Sequence, residues 1–200
     1  MTKVNVFEDF YRRGYKKVPW ANFRIDSELA SIIKSLKLPT SAKVLDLGCG
    51  IGNNSRLLSR YGFKIFGIDI SRKAISLAQI MAKAATFVTG DVTRKLPYDD
   101  KCFDLVIDIG LFHCIPRNKR IFLRNEIFRV LKPGGYYYMN QHLLPPGSSL
   151  QKPKHKKGRF IIWFFNFSLI RKIFAKKFLI VEKWKGCRRI SALMLKKNRK

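Results

Sequence analysis

The run Val44-Leu45-Asp46-Leu47-Gly48-Cys49-Gly50-Ile51-Gly52-Asn53 constrains this chain more than any other stretch. Lys43–Leu47 reads as a short buried strand. Three glycines at alternate positions follow it, and the pattern then turns helical over 53–61. A strand that passes through such a turn straight into a helix belongs to an alternating α/β chain, and glycines let the backbone approach a nucleotide-like ligand. Twenty-one residues after Gly48, Asp69 ends a second apolar strand, Lys64–Asp69. Turn and acid together predict a cofactor site.

The rest of the chain continues the alternation. Ser27 before Leu29, Ile32, Ile33 and Leu36 predicts an N-capped amphipathic helix that Pro39 ends. Ser71 predicts the cap of a helix reaching about Lys83. Further strands are expected at 86–89 and Phe103–Ile109, the second apolar enough to be buried on both faces. A helix is expected over 116–131, a turn at Lys132-Pro133-Gly134-Gly135, and a strand over 136–141. Two more strands, 178–184 and 189–195 around Gly186, predict an antiparallel hairpin at the sheet edge. The expected fold is one α/β domain over residues 1–200, a Rossmann-like doubly wound sheet of seven strands, mostly parallel with an antiparallel C-terminal hairpin. Residues 1–25 are aromatic and basic and are expected to form a lid segment. Residues 143–170 read as a basic and aromatic insertion, of which 143–159 is expected to be an exposed loop.

Two hundred residues bury a core without staples. Cys49, Cys102, Cys114 and Cys187 are scattered, with no zinc spacing and no metal site expected; they read as reduced thiols in a cytoplasmic protein. No signal peptide is expected at the N-terminus, and no run reaches the roughly 18 to 20 apolar residues of a membrane span. The formal net charge is +28, and 17 basic residues stand against one acid, Glu182, after His142. That excess admits nucleic acid or an anionic membrane surface as a partner. It is equally read as a lysine-rich composition running through the whole chain.

The spacing of the turn separates cofactors. A nicotinamide or flavin turn reads G-x-G-x-x-G. Here the glycines read G-x-G-x-G, Asn53 stands where the third would fall, and Asp46 precedes them. A carboxylate there repels a pyrophosphate and suits a cofactor with an ammonium group. This turn resembles motif I of the class I S-adenosylmethionine-dependent methyltransferases. Gly67-Ile68-Asp69-Ile70-Ser71, Gly90-Asp91-Val92, Phe103–Asp108 and Val130–Gly135 resemble four further motifs of that family, in order. A finer resemblance, to the thiopurine and tellurite-resistance type of small-molecule methyltransferases, rests on Pro19-Trp20, Ser27-Glu28-Leu29 and Asp108-Ile109-Gly110-Leu111-Phe112-His113. Cys114 departs from that pattern, where a second His is common.

The resemblance implies S-adenosyl-L-methionine as cofactor. Its methionine end would lie against Asp46, Gly48, Cys49, Gly50, Gly52 and Asn53, with helix N–H groups toward the carboxylate. Asp69 would accept the ribose hydroxyls, Asp91 and the Val92 N–H would read the adenine, and Ile70 and Val92 would sandwich it. Trp20, with Tyr11, is a candidate lid over the sulfonium. Asp108, His113 and His142 stand at the carboxyl ends of strands, where ligands bind in such sheets, and are the candidate catalytic groups; Asp108 is also a candidate cofactor contact. The Asn/Asp-Pro-Pro-Tyr/Phe motif of amino-group methylation is absent, Asp108-Ile109-Gly110-Leu111 standing in its place. The expected activity is methyl transfer to a small-molecule acceptor. RNA methylation, or a non-catalytic module binding the cofactor or a membrane, are the alternatives. Phe160–Ile170 is read as core packing, as a pocket wall, or as an interfacial segment.

Overall fold

A computed structural model describes residues 3–18, 20, 27–142, 154–156, 160–162, 165–185 and 190–198. Seven strands form one sheet: β1 (Lys43–Leu47), β2 (Lys64–Asp69), β3 (Ala85–Thr89), β4 (Phe103–Ile109), β5 (Leu131–His142), β8 (Phe178–Lys185) and β9 (Ile190–Lys197). Their order is β3-β2-β1-β4-β5-β9-β8. β6 (Lys154–Lys156) and β7 (Phe160–Ile162) pair separately, antiparallel. The helices are α1 (Lys3–Arg12), α2 (Ser27–Leu36), α3 (Asn53–Ser59), α4 (Arg72–Met81), α5 (Arg120–Val130) and α6 (Phe167–Phe174). The seven-stranded α/β fold expected from the alternation is the one observed. Its contacts divide into two compact units, Met1–Val92 and Thr93–Lys200.

In the first unit β1, β2 and β3 are parallel, with Leu47 opposite Ile68 and Asp69 opposite Thr89. Their carboxyl ends therefore share one edge. Val44, Leu45 and Leu47 are fully buried, as a strand covered on both faces requires. Ser71 caps α4, its hydroxyl accepting the Ala74 N–H at 3.0 Å. Ala74, Ile75 and Ala78 form the buried stripe of that helix. α2 begins at Ser27 itself, so Ser27 is its first residue and not its cap; the residue before it lies outside the described ones. α1 was not legible as a helix among the aromatic residues of the N-terminal segment.

In the second unit β4 and β5 are parallel, and β9 and β8 continue antiparallel from β5. The helix expected over 116–131 starts later: Pro116 leads into a 3-10 turn, Arg117–Lys119, and α5 follows. β6 replaces part of the expected 143–159 loop; 143–153 and 157–159 lie outside the described residues. Phe112, Phe165, Phe174, Tyr137 and Phe178 pack ring to ring at 5.4 to 6.2 Å between centroids. Phe165, Ile170, Ile173 and Phe174 are buried. Ile170, Ile173 and Phe174 of α6 thus pack into the core, as the packing reading expects for that end of the aromatic stretch, while Phe167 and Leu169 stay half-buried. No helix among the described residues is long and apolar enough to cross a membrane.

Candidate functional site

The glycine turn is a backbone device. Gly48, Gly50 and Gly52 have φ of 67°, 54° and 79°, the left-handed region that costs other residues roughly 1–2 kcal/mol each. The turn stays hydrogen-bonded to β2: Gly48 and Cys49 both donate to the Ile68 carbonyl, at 2.8 and 3.1 Å. Gly52 then opens α3, and its carbonyl accepts the Arg56 N–H at 2.8 Å. Asn53 is the first residue of that helix. Asp46 is buried, and its Oδ2 accepts the Ser55 hydroxyl at 2.7 Å, tying the end of β1 to α3. Burial, with the carboxylates of Asp46 and Asp69 nearby, raises the Cys49 thiol and keeps it protonated.

Asp69 is the polar centre of this unit. Its Oδ2 accepts the Gly50 N–H and its Oδ1 the Ser71 N–H, both at 2.9 Å. Burial raises its pKa from the ordinary value, and these N–H groups with that of Ile70 oppose the rise. A carboxylate offers about four acceptor positions. Three N–H groups leave Asp69 capacity for a further donor, and 8% of the residue remains exposed. The Gly90 N–H donates to the Asp69 carbonyl at 2.8 Å, which brings Gly90-Asp91-Val92 against the end of β2. Val92 is buried, while Ile70 and Asp91 are half-buried. An acid with acceptor capacity, a turn with glycine at every second position and a half-buried apolar residue on one sheet edge fit a ribose diol joined to a flat base.

The N-terminal segment lies over this edge. The φ of Gly50 favours glycine, and a Cβ there would sit 2.8 Å from the Tyr11 hydroxyl, so Tyr11 would have to shift to admit a side chain. Trp20 Nε1 donates to Tyr11 Oη at 3.0 Å, and Phe7 and Phe10 meet the Trp20 ring edge-on at 6.0 and 5.0 Å. Burial and the Asp69 carboxylate keep the Tyr11 phenol protonated. Glu8 anchors α1: its Oε2 accepts the Ser71 hydroxyl at 2.7 Å and the Lys73 N–H at 3.1 Å, a second cap on α4. Those donors and Arg12 hold the Glu8 carboxyl below its ordinary value against the opposing effect of burial. Pro19, part of the expected N-terminal signature, lies outside the described residues.

In the second unit Asp108 is fully buried at the end of β4. Its Oδ1 accepts the N–H groups of Leu111 and Phe112 at 2.9 and 3.2 Å and the Gln141 amide at 2.7 Å. Its Oδ2 accepts the Tyr137 hydroxyl at 3.0 Å. Four donors take up the acceptor capacity of the carboxylate. Burial nevertheless pushes its pKa up to about 6. His113 stands in a 3-10 turn, Phe112–Cys114, with its backbone N–H and its Nδ1 both 3.0 Å from Gln141 Oε1. His142 ends β5; its side chain lies outside the described residues. The sequence named Asp108 and His113 and missed Tyr137 and Gln141, which join them. Only the placement of Tyr137 and Gln141 on the strand beside β4 signals that role. Arg120 is buried too, its guanidinium 4.3 Å over the Phe165 ring and its Nε donating to the Ile115 carbonyl. Burial pulls its pKa down to about 10.

Parallel strands whose ends carry a left-handed glycine turn, an acid on the next strand and an antiparallel last pair define the class I methyltransferase fold. Comparison with known proteins agrees. The sequence profile of the methyltransferase domain family matches residues 39–174. The chain belongs to this family of class I S-adenosylmethionine-dependent methyltransferases. Phthiotriol/phenolphthiotriol dimycocerosates methyltransferase of Mycobacterium tuberculosis is 34% identical over 99 residues, 48% of this chain and 36% of that protein. The matched part therefore spans little more than a third of that relative's length. Among solved structures, the PH0226 protein of Pyrococcus horikoshii has a TM-score of 0.76 at 25% identity, covering 95% of this chain and 99% of that one. A TehB-like S-adenosylmethionine-dependent methyltransferase of Corynebacterium glutamicum has a TM-score of 0.71 at 20% identity, covering 97% and 100%, and shares the fold.

Proposed function

We propose that this protein transfers a methyl group from S-adenosylmethionine to a small-molecule acceptor. The observation that carries the reading is Asp69: a buried carboxylate, positioned by the Gly50 and Ser71 N–H groups at the mouth of a left-handed glycine turn, with acceptor capacity to spare. Asp69 accepts the ribose hydroxyls, each such charge-assisted bond contributing about 1.5–3 kcal/mol. Asp46, Gly48, Cys49, Gly50, Gly52 and Asn53 take the methionine end. Asp91 and Val92 read the adenine, which Ile70 covers. Trp20 and Tyr11 close over the turn as a lid that keeps water from the sulfonium.

The cofactor supplies an activated methyl group when bound. The chain's own contribution is then to orient and to exclude water, a positioning effect that reaches about 7–11 kcal/mol in well-oriented reactions. His113 and His142 are the proton-handling candidates. We assign Asp108 to positioning, since four internal donors already hold it. The small-molecule reading is supported by the Mycobacterium relative, whose name gives phthiotriol dimycocerosates as its substrate.

The test is a screen for S-adenosylhomocysteine release with the purified chain and a panel of phenols, thiols, amines and apolar acceptors, run beside total RNA. Turnover with a small molecule at physiological salt is the expected result. Turnover with RNA alone, lost as salt rises, overturns the acceptor class and returns the function to the basic residues after His142.

A further inference from the structure

α5 and α6 lie side by side within the second unit. The Arg120 guanidinium lies 4.3 Å over the Phe165 ring, Arg124 Nη1 donates to the Ile173 carbonyl at 2.8 Å, and Phe128 meets Phe178 edge-on at 5.7 Å. These contacts advance together along both segments, so the two run in the same direction. Leu123, Ile127 and Val130 of α5 are buried, as are Ile170, Ile173 and Phe174 of α6. What remains is one outward strip on each helix. On α5 it is Ile121, Phe122 and Asn125, which span about 100° of the helix; on α6 it is Ser168, Arg171 and Lys172, which span the same arc. Two features set these strips apart from a surface that is only rich in lysine. Ile121 and Phe122 are 47% and 40% exposed, and large apolar side chains adjacent in water mark a contact surface where single ones do not. The cations around them also stand without exposed acids. Lys119 is exposed on the turn before α5, and Arg171, Lys172 and Lys176 are exposed on and just after α6. The one acid of α5, Glu126, is buried and paired with Arg129 at 2.8 Å, and α6 carries none. On α1, by contrast, Arg12 and Arg13 are each paired with an acid four residues back, Glu8 and Asp9.

We propose that the outward strips of α5 and α6 dock the protein on an anionic lipid bilayer, with Lys119, Arg171, Lys172 and Lys176 among the headgroups and Ile121 and Phe122 entering the acyl boundary. A bilayer meets both halves of this surface at once. Its negative charge attracts each nearby cation, and its apolar layer lies directly beneath. An RNA backbone supplies the charge but no apolar medium for Ile121. An acidic protein would have to place carboxylates at fixed points, whereas lysine stems follow headgroups that move. Docking of this kind is independent of methyl transfer, and its test needs neither cofactor nor acceptor.

The experiment is co-flotation of the full chain with vesicles of phosphatidylcholine alone and of phosphatidylcholine with added phosphatidylglycerol, with retention on total RNA measured at the same salt. The chain is expected to float with the anionic vesicles, to stay behind with phosphatidylcholine alone, and to be released as salt rises. Ile121→Gln/Phe122→Gln, at two exposed helical positions, should weaken the partition about tenfold. Lys172→Gln and Lys176→Gln should each weaken it about fivefold. Lys34→Gln/Lys37→Gln removes two exposed cations outside the strips and should change it less than about twofold. Failure to float with phosphatidylglycerol vesicles overturns the proposal, and retention on RNA in that case assigns the cations to nucleic acid. Unchanged partition of Ile121→Gln/Phe122→Gln overturns the apolar contact. An equal loss from Lys34→Gln/Lys37→Gln and from the α6 lysines overturns the assignment to this face and leaves only the charge of the whole chain. Should a variant fail to fold, the comparison of the two vesicle types with wild type still decides whether the chain docks.

Discussion

In Met1–Val92 the acid that ends β2, Asp69, is held by backbone N–H groups alone; in Thr93–Lys200 the acid near the end of β4, Asp108, divides its donors evenly between backbone and side chains. Asp69 is fixed by N–H groups of residues 50 and 71, on a turn whose shape three left-handed glycines dictate. Asp108 shares two N–H groups of its own turn with a tyrosine and a glutamine from β5, 29 and 33 residues on. A backbone-built site demands particular residues at fixed spacing and tolerates few substitutes. A side-chain network demands only that complementary donors arrive from somewhere. Under the proposed function, the first kind suits the cofactor and the second kind suits the acceptor.

The sharpest way to break the backbone-built half is Gly67→Ala. A Cβ there would lie 2.5 Å from the Phe87 ring and 3.0 Å from Cys49 Sγ, in the middle of β2. Overpacking of this kind costs about 1–3 kcal/mol or more, so thermal unfolding should shift down by several degrees, with S-adenosylmethionine binding weakened alongside. Tyr137→Phe attacks the side-chain half. It removes one donor from buried Asp108 and should cost about 1–3 kcal/mol in denaturant unfolding, without the loss of cofactor affinity expected of Gly67→Ala. Equal effects on binding from both variants would erase the distinction.

Asp108→Asn sharpens the comparison through pH. Burial raises this carboxyl from 3.8 to about 6, so between those values the folded chain keeps a proton that the unfolded chain has released. Its contribution to stability is therefore largest below about pH 4 and declines as pH rises to about 6. Removing the carboxyl should make the stability profile of the variant rise more steeply, or fall less, than wild type across that window. Asp69, raised in the same direction, still titrates in both proteins. Glu8→Ala should give the smallest effect, about 1 kcal/mol for loss of a helix cap, seen as greater proteolysis of α1 at low protease concentration.

The same contrast explains what could be read from the sequence. β1, β2 and β4 were found to the residue because buried parallel strands are continuous apolar runs, and Ser71 was found as a cap because caps are local. The glycine turn and Asp69 were legible because a strand that runs through such a turn into a helix demands glycine, and Gly90-Asp91-Val92 was named through its resemblance to a motif of the family. Gln141 and Tyr137 were not, since their partners stand some thirty residues away and nothing local marks a strand glutamine or tyrosine as the partner of a buried acid. α1 was missed because its aromatic residues suit a covering segment as well as a helix, and the docking contact of Glu8 with Ser71 spans 63 residues. β6, inside the expected loop, is a strand only through its pairing with β7.

The central claim is that Asp69, held by backbone, binds the cofactor. Calorimetric titration of the purified chain with S-adenosylhomocysteine, wild type against Asp69→Ala, tests it most directly. The account predicts a measurable affinity that falls about tenfold to a hundredfold or more in the variant, the worth of one or two charge-assisted bonds, while far-UV circular dichroism stays unchanged. Equal affinity in a folded Asp69→Ala chain, or no binding by wild type, would contradict it.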